Sequence, residues 1–327
     1  MGSSNLRKLQ VGPETTKGTA VSAAKILVGL DGQIKDTSNL DERQLTYYQG
    51  LMTGATTAPI FLTDTAEVAF TGDLTFENAP YIFSAGWKSI SPVTGAGSAV
   101  WAFPPPTTSL NSPKTFTIQT GDDTEQLKAT YGFIDSFEIQ GKSNEVLTTK
   151  GKFLGRSVTS AVTGFDTATA LGATQIPFNL CRLYVDTTGT AFGTTAVTGT
   201  LREYTLKVDP GFHFKNFSDG TLAPTSDGQD RPKVTLDVVV EYNSSATGVR
   251  ANWKAKTPQN IRFISASATS VNPCVYVDTA GYWDMVDSIS DAAGNTVVKA
   301  SFITSPVSTA TSGYVQFNVL NAATGGL

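Results

Sequence analysis

The sequence predicts a mainly β protein of two tandem β-sandwich or β-barrel units, each with a short flanking α-helix. Three observations carry this expectation. Nearly every periodic segment alternates apolar and polar residues with period 2, the mark of half-buried strands. The composition is 40% hydrophobic and 10% aromatic but only 16% charged; rich in Thr, Ser, Gly and Ala, it suits strands and turns better than it suits exposed helices, which normally carry abundant Glu and Lys. Several phrases also occur twice in the same order along 327 residues, a length at which one core tends to give way to two.

The first phrase, ILVGLDGQIKDTS (Ile26 to Ser38), reads as a strand, a Gly-containing turn and a short polar-ended strand, and LKVDPGFHFKNFS (Leu206 to Ser218) echoes it. Next comes EVAFTGDLTF from Glu67, in which Val68, Phe70, Leu74 and Phe76 point one way and Glu67, Thr71, Asp73 and Thr75 the other. Its counterpart, KVTLDVVVEY from Lys233, sets Val234, Leu236, Val238, Val240 and Tyr242 against Lys233, Thr235, Asp237 and Glu241. Each strand runs into a helix start. Asn78-Ala79-Pro80 offers a cap and an early proline, Asn243-Ser244-Ser245 a cap, and both helices end near a tryptophan, Trp87 or Trp253.

A proline-rich stretch, Pro92 to Pro113, follows the first helix and contains Trp101, Phe103 and the run Pro104-Pro105-Pro106. A long loop carrying aromatics beside rigid prolines is expected to present them to another surface, as an assembly loop; an ordinary surface loop is the alternative. The third repeated phrase is a hairpin, Tyr131 to Leu154 and again Tyr282 to Ile303, with turns built from Gly, Asn, Lys, Ser or Asp. Between the halves, the nearly uncharged Ser160 to Pro177 reads as a linker. The expected organisation is therefore a first unit over 1–165 with its N-terminal arm and the 92–113 loop, a linker over 166–177, and a second unit over 178–327. Chance similarity between two all-β units is the alternative to a tandem duplication.

Function classes fall away in turn. A net charge of −4 offers no clustered basic surface for gripping nucleic acid. No apolar run reaches membrane-spanning length, and the first residues lack a signal-peptide core, so a soluble, unexported chain is expected. Two free thiols at Cys181 and Cys274 suit a reducing compartment, with a disulfide as the alternative. The single histidine, His213, sits between phenylalanines on an alternating strand, too isolated for a metal site or a nucleophilic triad. Carboxylates are scattered one per strand (Asp73, Asp135, Glu138, Asp237, Glu241, Asp287), which weakens a glycosidase reading. TGAGSAV lacks the third glycine of a dinucleotide fingerprint; TGDD (Thr120 to Asp123) and DGQD (Asp227 to Asp230) do not continue as calcium loops. The expectation is a structural or interaction protein, not an enzyme, with no cofactor and no metal.

The phrase VGPETTKGTAVSAA (Val11 to Ala24), the strand and helix of Glu67 to Trp87, FTIQTGDD and the hairpin from Tyr131 together resemble the major tail tube proteins of long, flexible-tailed bacteriophages (siphoviruses). The resemblance covers most of Val11 to Val158 and, more faintly, Leu201 to Leu320. It implies β-sandwich tube domains, each with a flanking helix, whose inner sheets join into a barrel around a channel. Duplicated domains would make the ring a trimer with pseudo-sixfold symmetry, and closure would remove exposed sheet edges. Implied partners are the chain itself and other tail proteins (tape measure, tail tip, terminator). DNA would pass through the lumen without specific binding, and no membrane is involved. The implied location is the virion tail, after assembly in the host cytoplasm.

Granting the barrel, period 2 proposes lumen-facing residues: Asp73, Thr75, Ser136, Glu138, Thr148 and Lys150 in the first half, Asp237, Glu241, Ser288, Ser290, Lys299 and Ser301 in the second. A mixed polar face tending to negative would let DNA slide; plain solvated strand faces are the alternative. Another virion component (capsid decoration or baseplate) or a carbohydrate-binding sandwich are the rival functions. The duplication further expects Trp87 and Trp253 in equivalent places.

Overall fold

The computed structural model describes residues 6–41, 60–95, 98–122, 124–160, 164–265, 273–292, 294–307, 314–322 and 327. Asp123 of the TGDD turn and residues 161–163 of the expected linker lie outside that set. The first half contains β1 (Lys8–Pro13), β2 (Lys25–Ile26), β3 (Leu30–Asp36), β4 (Asn39–Asp41), β5 (Ile60–Thr63), β6 (Thr65–Asp73), α1 (Ala79–Gly86), β7 (Val93–Gly95), β8 (Ser98–Phe103), β9 (Phe116–Gly121), β10 (Gln126–Lys142), β11 (Thr148–Thr159) and β12 (Thr169–Ala170). The second half contains β13 (Arg182–Thr187), β14 (Ala196–Val197), β15 (Leu201–Asp209), β16 (Phe212–Lys215), β17 (Ser226–Gln229), β18 (Lys233–Glu241), α2 (Ser244–Ala255), β19 (Gln259–Ile264), β20 (Cys274–Val286), β21 (Ser290–Ala292), β22 (Asn295–Thr304) and β23 (Val315–Asn321). The protein is mainly β with two short helices, as the period-2 pattern predicts.

One order of strand pairing occurs twice. In the first half it runs β2-β1-β9-β10-β11-β6-β3; in the second, β14-β13-β19-β20-β22-β18-β15. Both long hairpin strands switch sheets part-way. β10 pairs β9 through Gly132, then passes register shifts and pairs β15 from Phe137 onward; β20 pairs β19 up to Gly281 and β22 from there, shifting between Trp283 and Met285. Such bulges bend a strand out of one layer of a sandwich into the other. Among the described residues the ladders branch but never return to their starting strand. The sheets are therefore open sandwich layers, not closed barrels.

Alternation explains which side of each strand is buried. On β6, Ala66, Val68 and Phe70 are buried while Ala69 and Thr71 are exposed; on β18, Val234, Leu236, Val238 and Val240 are buried. Gly72 is required rather than tolerated: its φ is +154°, and a Cβ there would meet the Gly29 carbonyl at 1.9 Å. Helix α1 is mostly apolar and buried along its whole length, as a helix lying under a sheet must be. Asn78 occupies its N-cap, but the side chain turns back: Asn78 Oδ1 accepts from the Thr75 N–H at 3.0 Å, and Thr75 Oγ1 accepts from the Asn78 N–H at 3.1 Å.

The core does not respect the halves. Phe83 of α1 stacks on Phe317 of β23 with centroids 4.8 Å apart, and Trp87, Phe103 and Phe137 pack around the same rings. Strand β8 pairs β23, so the proline-rich stretch of the first half is sewn to the last strand of the second. The segment expected as a linker lies along the first half: β12 pairs β2 in parallel, Thr174 bonds Glu77, and Gln175 bonds Asp73. Cys181 and Cys274 are free thiols, and burial pushes their pKa up to about 12 and about 11. Among the described residues no helix is long and apolar enough to cross a membrane.

Candidate functional site: a continuous polar sheet face

The strand order β3-β6-β11-β10-β15-β18-β22-β20 forms one antiparallel eight-stranded sheet spanning both halves. Its joint is β10 against β15, where Phe137 to Lys142 pair Val208 to Glu203. Directly opposed residues share a face, so side-chain rows can be followed across the sheet. Asp31, Thr71, Lys150, Glu138, Lys207 and Thr235 make one row. Asp73, Thr148, Gln140, Thr205, Asp237 and Ser301 make the next. The opposite face carries Phe70, Gly151, Phe137, Val208 and Val234, which look into the core.

Of the residues expected on a lumen face, Asp73, Ser136, Glu138, Thr148, Lys150, Asp237, Glu241, Lys299 and Ser301 lie on this one polar face. Three do not belong to it in the same way. Thr75 is 1% exposed and engaged with Asn78, because the strand has already turned toward α1. Ser288 lies in the connection after β20, and Ser290 on the short strand β21 opposite Val297, outside the eight strands. Sequence alternation continues through such turns; the sheet does not.

Much of the face is charge-paired. Lys150 lies 3.2 Å from Glu138, Lys152 3.0 Å from Asp135, Lys207 3.0 Å from Asp237 and Arg202 2.8 Å from Glu241. At Asp237 burial pushes the carboxyl up, but hydrogen bonds from Ser301 and Lys207 outweigh it and hold the pKa below its ordinary value. The Asp237 and Asp135 contacts in turn raise Lys207 and Lys152. Counting carboxylates strand by strand misses this, since each partner sits on a neighbouring strand fixed only by register.

The proline-rich stretch departs from expectation in one respect. Trp101 and Phe103 are 1% and 0% exposed: β8 turns them inward, and the Trp101 indole donates to Asn321 at 3.1 Å. The aromatics therefore serve this chain's own core. Pro105 is buried, and the Pro104 carbonyl accepts from the Trp87 indole at 3.1 Å; among the described residues of the stretch, the exposed large apolar side chains are Val93, Val100 and Leu110. The tryptophans that end the two helices differ. Trp87 is fully buried, whereas Trp253 is half-buried and donates to the Asp284 carbonyl.

A second feature, missed in the sequence, lies where the N-terminal ETTKG phrase meets the β16–β17 hairpin. Glu14, 3% exposed, accepts from the Gly18 N–H at 2.7 Å, the Thr117 hydroxyl at 3.1 Å and the Tyr131 N–H at 2.9 Å. Tyr131 has a φ of 58° and donates its hydroxyl to Asp227, which Lys17 also reaches. Beside it, Phe133 meets Phe212 and Phe214 of the hairpin, with centroids 6.2 and 4.8 Å apart. The hairpin of the second half thus lies over the first half. His213 on that hairpin is near the Gly211 carbonyl (3.3 Å) and Asp230 (3.7 Å). Among the described residues no three His, Cys, Asp or Glu side chains gather as metal ligands would.

Comparison with curated proteins returns no match. The description of the phage tail tube protein family, by contrast, matches residues 4–311, nearly the whole chain and both halves of the polar sheet. This protein belongs to the phage tail tube protein family, the structural proteins of the virion tail.

Proposed function

We propose that the chain is a duplicated tail tube subunit, whose two units fall near 1–165 and 178–327. Three copies close into a ring with pseudo-sixfold symmetry, and rings stack into the tube of a long flexible tail. The observation that carries this reading is the eight-stranded sheet. Its first four strands join its last four through β10 and β15, which is the joint a ring needs between every pair of lobes. At the two ends, β3 and the last part of β20 have no further strand partner among the described residues. Side chains cap them instead: the Thr120 hydroxyl accepts from the Ile34 N–H, and Trp253 and Arg250 donate to the carbonyls of Asp284 and Asp287. Repeating the β10–β15 joint between β20 of one copy and β3 of the next removes both open edges.

Three such sheets give a wall of roughly 24 strands, and with strands about 4.8 Å apart and tilted about 40° its backbone radius is about 20–25 Å. The paired charges of the polar face line this channel. Lys150, Lys152 and Lys207 there already have carboxylate partners, so DNA phosphates gain little by replacing them and the duplex passes without being held during ejection. The subunit's partners are copies of itself and the other tail proteins; its role is architectural, with no catalytic step and no cofactor.

Negative-stain microscopy of the purified chain at rising concentration tests this. Rings or tubes with a central hole are expected; compact monomers at every concentration would count against it.

A further inference from the structure

The two halves carry equivalent arms, and only one of them has found its seat. In the second half the connection from β15 to β18 forms the β16–β17 hairpin, which lies over Phe133 of the first half. In the first half the connection from β3 to β6 contains the paired strands β4 and β5, and residues 42–59 between them lie outside the described set. The ladders fix the correspondence. Lys35 opposes Glu67, which opposes Leu154; Lys207 opposes Thr235, which opposes Ile303. Leu40 follows Lys35 by the same interval as Phe212 follows Lys207, and Phe61 precedes Glu67 by the same interval as Gln229 precedes Thr235. Leu40 is indeed paired with Phe61, as Phe212 is with Gln229.

The seat corresponds too. Phe133 opposes Leu154 and Ile134 opposes Phe153 just before a register shift to Ser136 and Lys152; Tyr282 opposes Ile303 and Trp283 opposes Phe302 just before the shift to Met285 and Ser301. In the occupied seat Phe133 and Phe212 are 0% and 2% exposed. In the empty one Ile303, the counterpart of Leu154, is 44% exposed, and on the arm Leu40, the counterpart of Phe212, is 36% exposed, with Ile60, Phe61 and Leu62 beside it at 61%, 56% and 44%. Leu40 and Ile303 thus lie open in one chain at the places of Phe212 and Leu154, which pack in one cluster with Phe133 one lobe away. They belong to opposite ends of the eight-stranded sheet, so a different copy must bring them together.

We infer that the β4–β5 arm of one copy lies over Tyr282 and Ile303 of the next copy in the ring, reproducing between chains the seat of the β16–β17 arm on Phe133 and Leu154. This rests on the ring reading above and adds to it a lateral clasp at each chain boundary. Within the chain the seated arm reaches far enough for Leu222 to accept from the Asp64 N–H at the base of the other arm, 3.0 Å away. Successive arms therefore overlap around the ring.

A short bismaleimide tests the clasp on rings or tubes of the chain with Cys181 and Cys274 replaced. Leu40→Cys with Tyr282→Cys is expected to give covalent dimers and trimers, while Phe133→Cys with Phe212→Cys, the control for reach, gives only cross-linked monomer. Phe61→Asp and Ile303→Asp, both at exposed positions, are expected to leave the circular dichroism and melting temperature of the monomer unchanged and to lower ring yield at least tenfold. Rings that form normally without the Leu40–Tyr282 cross-link, or with both aspartates in place, overturn the clasp and leave the ring reading standing. Absence of rings from the unaltered chain overturns both.

Discussion

Glu14→Ala tests whether the ETTKG phrase works as a buried anchor. Its carboxylate is 3% exposed and accepts three hydrogen bonds, from the Gly18 N–H, the Thr117 hydroxyl and the Tyr131 N–H. Gly18 is half-buried and can turn to water, but Thr117 and Tyr131 are 0% and 2% exposed. Two buried groups lose their acceptor, at about 1–3 kcal/mol each. Removing a desolvated charge returns part of that loss, so the expected net destabilisation is about 2–4 kcal/mol. An unfolding entropy of about 2.1 cal/mol/K per residue over 327 residues makes each kcal/mol about 1.5 °C, so the melting temperature should fall by about 3–6 °C in a calorimetric scan. Glu14→Gln keeps one carbonyl acceptor and should lose about half as much. A Glu14→Ala chain within about 0.5 kcal/mol of the parent would refute the reasoning, showing that Tyr131 is held at its positive φ by packing alone.

Phe212→Ala should cost about 3–5 kcal/mol and speed hydrogen exchange across Phe212–Gln229, because this ring fills the seat beside Phe133; unchanged exchange would disconnect ring and hairpin. At Asp186 burial pushes the carboxyl up, but hydrogen bonds from Thr194, Thr195 and Gly193 prevail and hold the pKa low. With the folded pKa below the unfolded value of about 3.9, its stabilisation is present above that value and lost as pH falls through the folded pKa. A plot of melting temperature against pH from about 5 downward should therefore be shallower for Asp186→Asn than for the parent. Lys207→Ala should cost less than about 1 kcal/mol by denaturant titration, since the Lys207 side chain is 54% exposed and its pair with Asp237 is screened by water.

What the sequence revealed and what it hid follow from the period of a strand. Alternation assigns a face, so Val68 and Phe70 fall in the core and Thr71 and Asp73 outside it, as expected. It does not assign register, because a slip of two residues keeps every side chain on its face. Lys233 reads as the counterpart of Glu67, yet the ladders place Thr235 there, opposite Ile303 as Glu67 is opposite Leu154. Likewise Gly211 to Phe214 reads like the Gly32 strand, whereas it begins the arm and β15 takes the place of β3. Trp101 and Phe103 were legible as aromatics needing a surface, but that surface is β23, more than 200 residues away in the chain. The lysine partners of Glu138 and Asp237 were hidden for the same reason: contacts between distant strands leave no local pattern.

Three chains forming one ring by repeating the β10–β15 joint between β20 and β3 is the arrangement on which every other proposal depends. A cryo-EM reconstruction of the assembled tube tests it most directly. Three copies per ring, six alternating lobes and an unbroken strand ladder from Met285 of one copy to β3 of its neighbour are expected. Six copies per ring, or β3 lying on the outer surface away from the channel, would contradict it.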